Sequence, residues 1–131
     1  LVGGDPDRKK YVKHLLKKIG NSESVIIQSY HYEDAQYKDT SNLIFDKGGV
    51  ITVISKFSAK GLEFDTVFIP ELQACNIDAG EENIFKNQMY VLTSRPRSKL
   101  FLMYTNEDED EEPNVLKFLP LRDNLLDCVS G

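Results

Sequence analysis

A short polar segment stands between two apolar runs and carries residue types that suit phosphate chemistry. In "SAKGLEF", residues 58–64, Lys60 supplies a cation, Gly61 a backbone without a Cβ, and Glu63 a carboxylate. Glycine lets backbone N–H groups approach a phosphate closely, and successive N–H groups in a turn form an anion-binding concavity. A plain Lys-Gly turn between two strands has the same composition. The segment alone therefore leaves a phosphate site and an ordinary turn both open.

The elements around this segment alternate between strand and helix. A stripe of apolar residues predicts a helix over residues 7–19, begun at Asp5 and ended at Gly20, and a similar pattern predicts a second helix over residues 81–93. Strands are predicted at residues 25–30, 43–45, 50–55, 66–69 and 100–104. A turn and a short helix are expected in "VLKFLPLRDNLLDCV".

This alternation favours an α/β fold with a mostly parallel sheet covered by helices on both faces. In such sheets, ligand sites lie at the carboxyl ends of strands, which selects the loop after residues 50–55 and the loop around Arg95. The length of 131 residues fits a single domain over residues 1–131. No apolar run approaches the ~18 residues that span a bilayer, and the N-terminus has no signal pattern. We therefore expect a soluble, cytoplasmic protein without a membrane partner.

Charge is distributed unevenly along the chain. Removing the six acids of "EDEDEE", residues 107–112, changes the formal net charge from -5 to +1, and we interpret residues 106–113 as an acidic loop within the domain. The first predicted helix carries lysines opposite its apolar stripe, at positions 9, 10, 13, 17 and 18. That face suits phosphate contact and equally suits a solvated helix surface. Cys75 and Cys128 lack partners at ligand spacing, so no metal site is predicted.

Two longer segments carry a resemblance to a known family. "SAKGLEFDTVFI", residues 58–69, closely resembles motif V of the superfamily I helicases of the UvrD/Rep type, with seven consecutive identical residues from Ser58 to Phe64. "MYVLTSRPRSKLFLMY", residues 89–104, is similar to motif VI of that family, and the two motifs come in the expected order. The resemblance implies a second RecA-like domain, of the P-loop NTPase type, from a longer helicase. The chain has no phosphate-loop motif of its own.

The resemblance also implies nucleotide contacts. Gly61 would approach the terminal phosphate of ATP through its backbone, and Glu63 would accept hydrogen bonds from the nucleotide sugar or orient the neighbouring arginine. Arg95 would be the catalytic arginine finger, a role that suits a planar and permanently charged guanidinium. ATP with Mg²⁺ would be bound mainly by the first RecA-like domain of the same chain, which is therefore an expected partner.

The same resemblance implies contacts with single-stranded DNA or a duplex junction. Ser55 and Ser58 stand where the family uses hydroxyls against the DNA backbone, and Lys60 would add a salt-dependent phosphate contact. Phe57 replaces the usual His, so a hydrogen bond is lost, although a ring can stack on a base. Pro96 replaces an Ala and disfavours helical geometry at Arg95, which would re-aim the finger.

Three hypotheses follow. The first is a motor domain of an ATP-dependent DNA helicase that is inactive alone, because the phosphate loop and the magnesium carboxylates are missing. The alternative is a degenerate helicase-like domain that serves as a noncatalytic nucleic-acid or protein interaction module, as the changes at Phe57 and Pro96 indicate. The third is an unrelated α/β domain whose basic helix binds acidic partners. The segment "EDAQ", residues 33–36, resembles helicase motif II, and its position in the wrong domain makes it a chance match.

Overall fold

The computed structural model of the chain describes residues 5–19, 24–30, 43–75, 77–105, 114–120, 125–127 and 129. Within these ranges the elements are α1 (Asp5–Ile19), β1 (Ile26–Tyr30), β2 (Val50–Ile54), β3 (Phe64–Ile69), α2 (Glu82–Thr93) and β4 (Pro96–Leu102). Short 3-10 helices at Lys56–Ala59, Leu72–Ala74 and Asn114–Phe118 lie in the connections. The alternation of parallel strands with helices confirms the predicted α/β class.

The strands form two parallel pairs. β1 pairs with β2, and β3 pairs with β4. Among the described residues, β2 pairs only with β1 and β3 pairs only with β4, so each of the two strands has one edge without a strand partner. Both strands line one groove of about 610 Å³, and Tyr11 and Leu15 of α1 contribute to its wall. The described part of the sheet is thus divided in two by a groove.

The buried core lies between the β3–β4 pair and α2. Ile69 at the end of β3 and Leu72 just after it are both fully buried. The Asn114–Phe118 helix adds Val115 and Leu116. α2 contributes three side chains spaced by about one helical turn, which are Phe85, Met89 and Leu92. Burying an aliphatic or aromatic side chain of this size contributes about 1.5–3 kcal/mol. This cluster holds β3, α2 and the last 3-10 helix together.

Among the described residues, helices cover one face of the β3–β4 pair. Ile69 points to the α2 side, whereas the preceding Phe68 is 56% exposed on the other side. Phe68 stacks on Phe101, its register partner in β4, with ring centroids 4.8 Å apart. Side chains alternate between the faces of a strand, so β3 has one packed face and one open face. This differs from the buried strand predicted at residues 66–69.

Residues 43–45 do not form the predicted strand. The backbone N–H of Ile44 donates to Oε1 of Gln28 at 3.0 Å, and its carbonyl oxygen accepts from Nε2 of Gln28 at 3.1 Å. Gln28 lies in β1, and the same Nε2 also donates to Oγ1 of Thr52 in β2 at 2.7 Å. One side-chain amide therefore takes the place of a neighbouring strand, which a period-two pattern does not reveal.

β4 begins four residues before the predicted start at Leu100 and ends at Leu102. Its parallel register with β3 opens with Phe64 opposite Pro96 and closes with Ile69 opposite Leu102. The register shifts between Phe64 and Thr66, which accommodates one extra residue in β4. The pairing partner, rather than the local apolar pattern, sets both ends of this strand.

Several sequence predictions lie outside the described residues. These are the acidic loop at 106–113, the "EDAQ" segment, Cys128 and residues 121–124 of the predicted closing helix. Within the described ranges, α1 with 15 residues and α2 with 12 residues fall short of the length needed to cross a bilayer as a helix.

Candidate functional site

The segment between β2 and β3 folds as a tight turn. After β2 the chain forms the 3-10 helix Lys56–Ala59, and the N–H of Leu62 donates to the carbonyl oxygen of Ala59 at 3.2 Å. Gly61 has φ of +82°, a conformation that side chains disfavour. A Cβ at Gly61 would meet no atom within 4 Å. The backbone conformation therefore requires the glycine, and open space lies on its Cβ side.

The two serines predicted to contact DNA lie inside the turn. Ser55 is 0% exposed and Ser58 is 4% exposed, and their Oγ atoms are 3.0 Å apart. The N–H of Ser58 also donates to the carbonyl oxygen of Ser55 at 3.0 Å. In this structure the hydroxyls hold the turn together. Their contact with DNA stays a prediction, and it would require the turn to open.

Phe57 and Lys60, the other two predicted DNA contacts, are exposed, with Phe57 at 62%. The Lys56 Nζ lies 5.2 Å from the centroid of the Phe57 ring and donates to Oε1 of Gln88 in α2 at 3.1 Å. An aromatic ring with a cation over it is thus held at the surface by α2. Neither Lys56 nor Gln88 was predicted from the sequence to belong to the site, although Lys56 stands next to Phe57 in the chain.

Arg95 joins the end of α2 to the Gly61 turn. Its Nε donates to the carbonyl oxygen of Val91 at 2.7 Å, and its Nη1 donates to the carbonyl oxygen of Leu62 at 3.4 Å. The carbonyl oxygen of Arg95 in turn accepts from the N–H of Phe64 at 3.0 Å. The Arg95 side chain therefore links the end of α2 to Leu62, which lies 33 positions away in the sequence. The backbone hydrogen bond between Phe64 and Arg95 lies beside this contact.

Ser94 completes the surroundings of the guanidinium. Its Oγ accepts from Nη2 of Arg95 at 2.8 Å and donates to the carbonyl oxygen of Val91 at 3.0 Å. α2 ends at Thr93, three residues before Pro96, as the preference of the residue before proline favours. Glu63, which the sequence analysis named as a possible orienter of the arginine, is not among the acceptors of Arg95. The guanidinium donates instead to two backbone carbonyl oxygens and to the hydroxyl of Ser94.

The groove between the sheets is lined by three of the seven predicted site residues. Ser55, Glu63 and Arg95 line it together with Arg97. Arg97 forms an ion pair with Asp65, Nη2 to Oδ1 at 3.2 Å, and both side chains are largely exposed. Such a surface pair contributes about 0–1 kcal/mol. The groove thus brings nucleotide-contact candidates from both motifs to one place.

Comparison with known families now decides the assignment. The family model of the UvrD-like helicase C-terminal domain matches residues 26–107, which is 82 of the 131 residues. This chain belongs to the UvrD-like helicase C-terminal domain family. The match spans β1 to β4 and both motifs, and it confirms the RecA-like fold class and the helicase context. It also excludes the hypothesis of an unrelated α/β domain. No curated protein matches the chain in sequence.

The UvrD-like domain also contains a smaller cavity of about 230 Å³ beside α2. Lys56, Cys75, Gln88 and Met89 are among its lining residues. Burial raises the pKa of the Cys75 thiol, and the nearby positive charge of Lys56 opposes that shift. Because thiolate is the reactive form, a raised pKa makes this cysteine a poor nucleophile.

The described residues of the UvrD-like domain include groups of the kinds that bind phosphate. In the part of the chain that the structure describes, no three His, Cys, Asp or Glu side chains lie together as a metal site would need. Gly61 presents its backbone at an open surface and Arg95 presents a guanidinium, and both groups bind phosphate oxygens. The predicted division of labour, with Mg²⁺ held by another domain, stays a prediction.

Proposed function

We propose that this domain is the second motor domain of an ATP-dependent DNA helicase or translocase, with Arg95 as its arginine finger. The observation that carries the proposal is the link between Arg95 and the Gly61 turn, in which Nη1 lies 3.4 Å from the carbonyl oxygen of Leu62. A finger must be held near the backbone that faces the phosphates, and this contact does so. The phosphate loop and the magnesium carboxylates would come from the first RecA-like domain, so the chain alone would not hydrolyse ATP.

On the nucleotide side, each group has one role. The N–H groups of the Gly61 turn donate to the terminal phosphate, and Glu63 accepts hydrogen bonds from the sugar. The Arg95 guanidinium exchanges the Leu62 carbonyl for phosphate oxygens and stabilises the charge that develops in the transition state. ATP with Mg²⁺ supplies the phosphoryl group that is transferred to water.

On the DNA side, the exposed residues make the contacts. Phe57 stacks on a base, which is worth about 1–3 kcal/mol per base, and Lys60 contacts phosphate without reading sequence. Ser55 and Ser58 keep the turn in shape between the two ligands. Because one turn carries both sets of contacts, closure of the two motor domains around ATP would shift the grip on DNA.

The test is Arg95→Ala in the full-length protein, measured as DNA-stimulated ATP hydrolysis. Arginine fingers contribute ~10³–10⁵ in turnover, so we expect kcat to fall by about 10³ or more while nucleotide and DNA binding persist. Lys99→Ala is the matched control, since Lys99 is an exposed cation four residues away in β4 and does not line the groove. We expect kcat of this control to stay within about twofold of the parent, because surface substitutions away from a site have small effects.

The noncatalytic alternative is favoured by one observation, the burial of Ser55 and Ser58, because their hydroxyls would reach DNA only if the turn opened. If the full-length protein hydrolyses ATP and Arg95→Ala leaves kcat unchanged, Arg95 is not the finger. If the full-length protein binds DNA but hydrolyses no ATP, the domain is an interaction module. Phe57→Ala should then still weaken single-strand binding by about tenfold or more, since stacking does not depend on hydrolysis.

A further inference from the structure

The helix α1 precedes the region that the family model matches. Its Tyr11 and Leu15 line the groove between the sheets, and the helix packs on β1 and β2. The opposite side of the helix is therefore turned away from the rest of the described structure. Lys10, Lys13 and Lys17 are all exposed.

These three lysines form a stripe along the helix. Spacings of three and four residues bring side chains onto one face, one above the other. With a rise of 1.5 Å per residue, the seven steps from Lys10 to Lys17 span about 10 Å of the helix axis. The structure thus presents a row of three positive charges, called the lysine stripe below.

The lysine stripe has few acidic residues near it in the sequence. Residues 8–22 contain no Asp or Glu, and Asp7 precedes Lys10 by three positions. Among the described residues, none of Lys10, Lys13 and Lys17 forms an ion pair. Like charges at these spacings destabilise a helix by about 0.2–0.5 kcal/mol per pair. A helix surface that serves only solubility commonly intersperses both signs, which this face does not.

We propose that the lysine stripe is a second nucleic-acid surface, which binds the phosphate backbone of DNA outside the Gly61 turn. The proposal rests on the proposed function in taking DNA as the ligand. Charge complementarity selects a polyanion, since the stripe offers three point charges in a row and no aromatic platform. Lysines of this kind position a strand and read no bases, so the binding is independent of sequence. It would keep DNA near the motor while the turn releases its grip.

The test measures the salt dependence of DNA binding by the full-length protein. The variant is the triple substitution Lys10→Gln, Lys13→Gln and Lys17→Gln, which removes the charges and keeps good helix formers. The matched control removes three exposed lysines elsewhere in the described structure, by Lys86→Gln, Lys99→Gln and Lys117→Gln. Labelled single-stranded and duplex oligonucleotides of two unrelated sequences are titrated at several salt concentrations.

Each neutralised phosphate contributes about 0.7 to the slope of log K against log salt for single strands and about 0.9 for duplex. Loss of the lysine stripe should therefore lower the magnitude of the slope by about 2 for single strands, or about 2.7 for duplex, equally for both sequences. The control triple variant should keep the parent slope. A third variant, the triple substitution Lys10→Arg, Lys13→Arg and Lys17→Arg, should also keep the parent slope, because the charge is retained.

An unchanged slope in the glutamine variant would overturn the inference. An equal decrease of the slope in the control variant would also overturn it, because it would indicate a general effect of net charge. A loss of binding to an acidic protein, with DNA binding unchanged, would overturn it as well. These outcomes are separate from failure of the proposed function, which is measured through ATP hydrolysis by the full-length protein and by its Arg95→Ala variant. If the glutamine triple variant does not fold, the single variant Lys13→Gln replaces it. The inference then expects a lower slope in Lys13→Gln and the parent slope in the arginine triple variant.

Discussion

At the scale of residues, two glycines with positive φ share a backbone conformation but differ in the room around them. Gly61 (φ +82°) and Gly49 (φ +78°) both adopt a left-handed conformation. A Cβ at Gly61 would meet open space, whereas a Cβ at Gly49 would collide with the backbone carbonyl oxygen of Ser24. Gly61 is thus retained for conformation and access, and Gly49 also for the close approach of two chain segments before β2.

This difference makes a prediction about two alanine substitutions. Gly61→Ala should lower the free energy of unfolding by about 1–2 kcal/mol, the cost of a left-handed residue with a Cβ. Gly49→Ala should cost more, because a backbone atom of Ser24 cannot move aside as a side chain can. Urea denaturation of the two variants and the parent measures the difference. Equal losses would show that the contact with Ser24 relaxes freely.

At the scale of elements, β3 shows how one strand serves two purposes. Ile69 is fully buried against the α2 layer, and its neighbour Phe68 lies half-exposed on the opposite face, stacked on Phe101. Alternation of side chains across the strand produces this division. The strand therefore anchors the core through one face while its N-terminal residue, Phe64, holds Arg95 in place.

Adjacent substitutions in β3 should then differ strongly. Ile69→Ala should destabilise the protein by about 2–5 kcal/mol, because it leaves a cavity in a packed core. Phe68→Ala should cost about 0.5–1.5 kcal/mol, the value of an aromatic pair at a half-exposed site. Thermal or urea unfolding of both variants checks this. A larger loss for Phe68→Ala would mean that its open face is packed against something in the natural protein.

At the scale of the whole molecule, buried apolar residues are unevenly distributed between the two halves of the described structure. The buried cluster belongs to the half that contains β3, α2 and the Asn114–Phe118 helix. The half that contains α1, β1 and β2 contributes few buried apolar residues to the core, among them Leu43 and Val53. The groove of about 610 Å³ separates the two sheets. Local stability follows the density of buried contacts, so the two halves should open independently.

Native-state hydrogen exchange should reveal this difference. We expect backbone amides of β3 and α2 to exchange by global unfolding, and amides of β1 and β2 to exchange with a lower free energy of opening. The protection of each peptide segment, followed by mass spectrometry over a range of denaturant, gives both values. Identical free energies in the two halves would show that the groove does not interrupt cooperativity.

Much of the fold and part of the candidate site could be predicted from the sequence. The apolar periodicity of α1 and α2 is local, so both helices were located within two residues. The strand ends were less predictable: β4 takes its start from pairing with Phe64, and residues 43–45 bond to Gln28 instead of a strand. Partners that lie 16 or more positions away leave no local pattern.

The sequence by itself determined the family, since seven identical residues in "SAKGLEF" and a second motif in order identify the UvrD-like domain. It also determined which residue types reach the site. Only the tertiary structure decided how they are arranged: Ser55 and Ser58 turn inward, and Arg95 bonds to the carbonyl of Leu62 rather than to Glu63. The physical reason is that motifs record residue identity, whereas burial and hydrogen-bond partners depend on how β3 and β4 align.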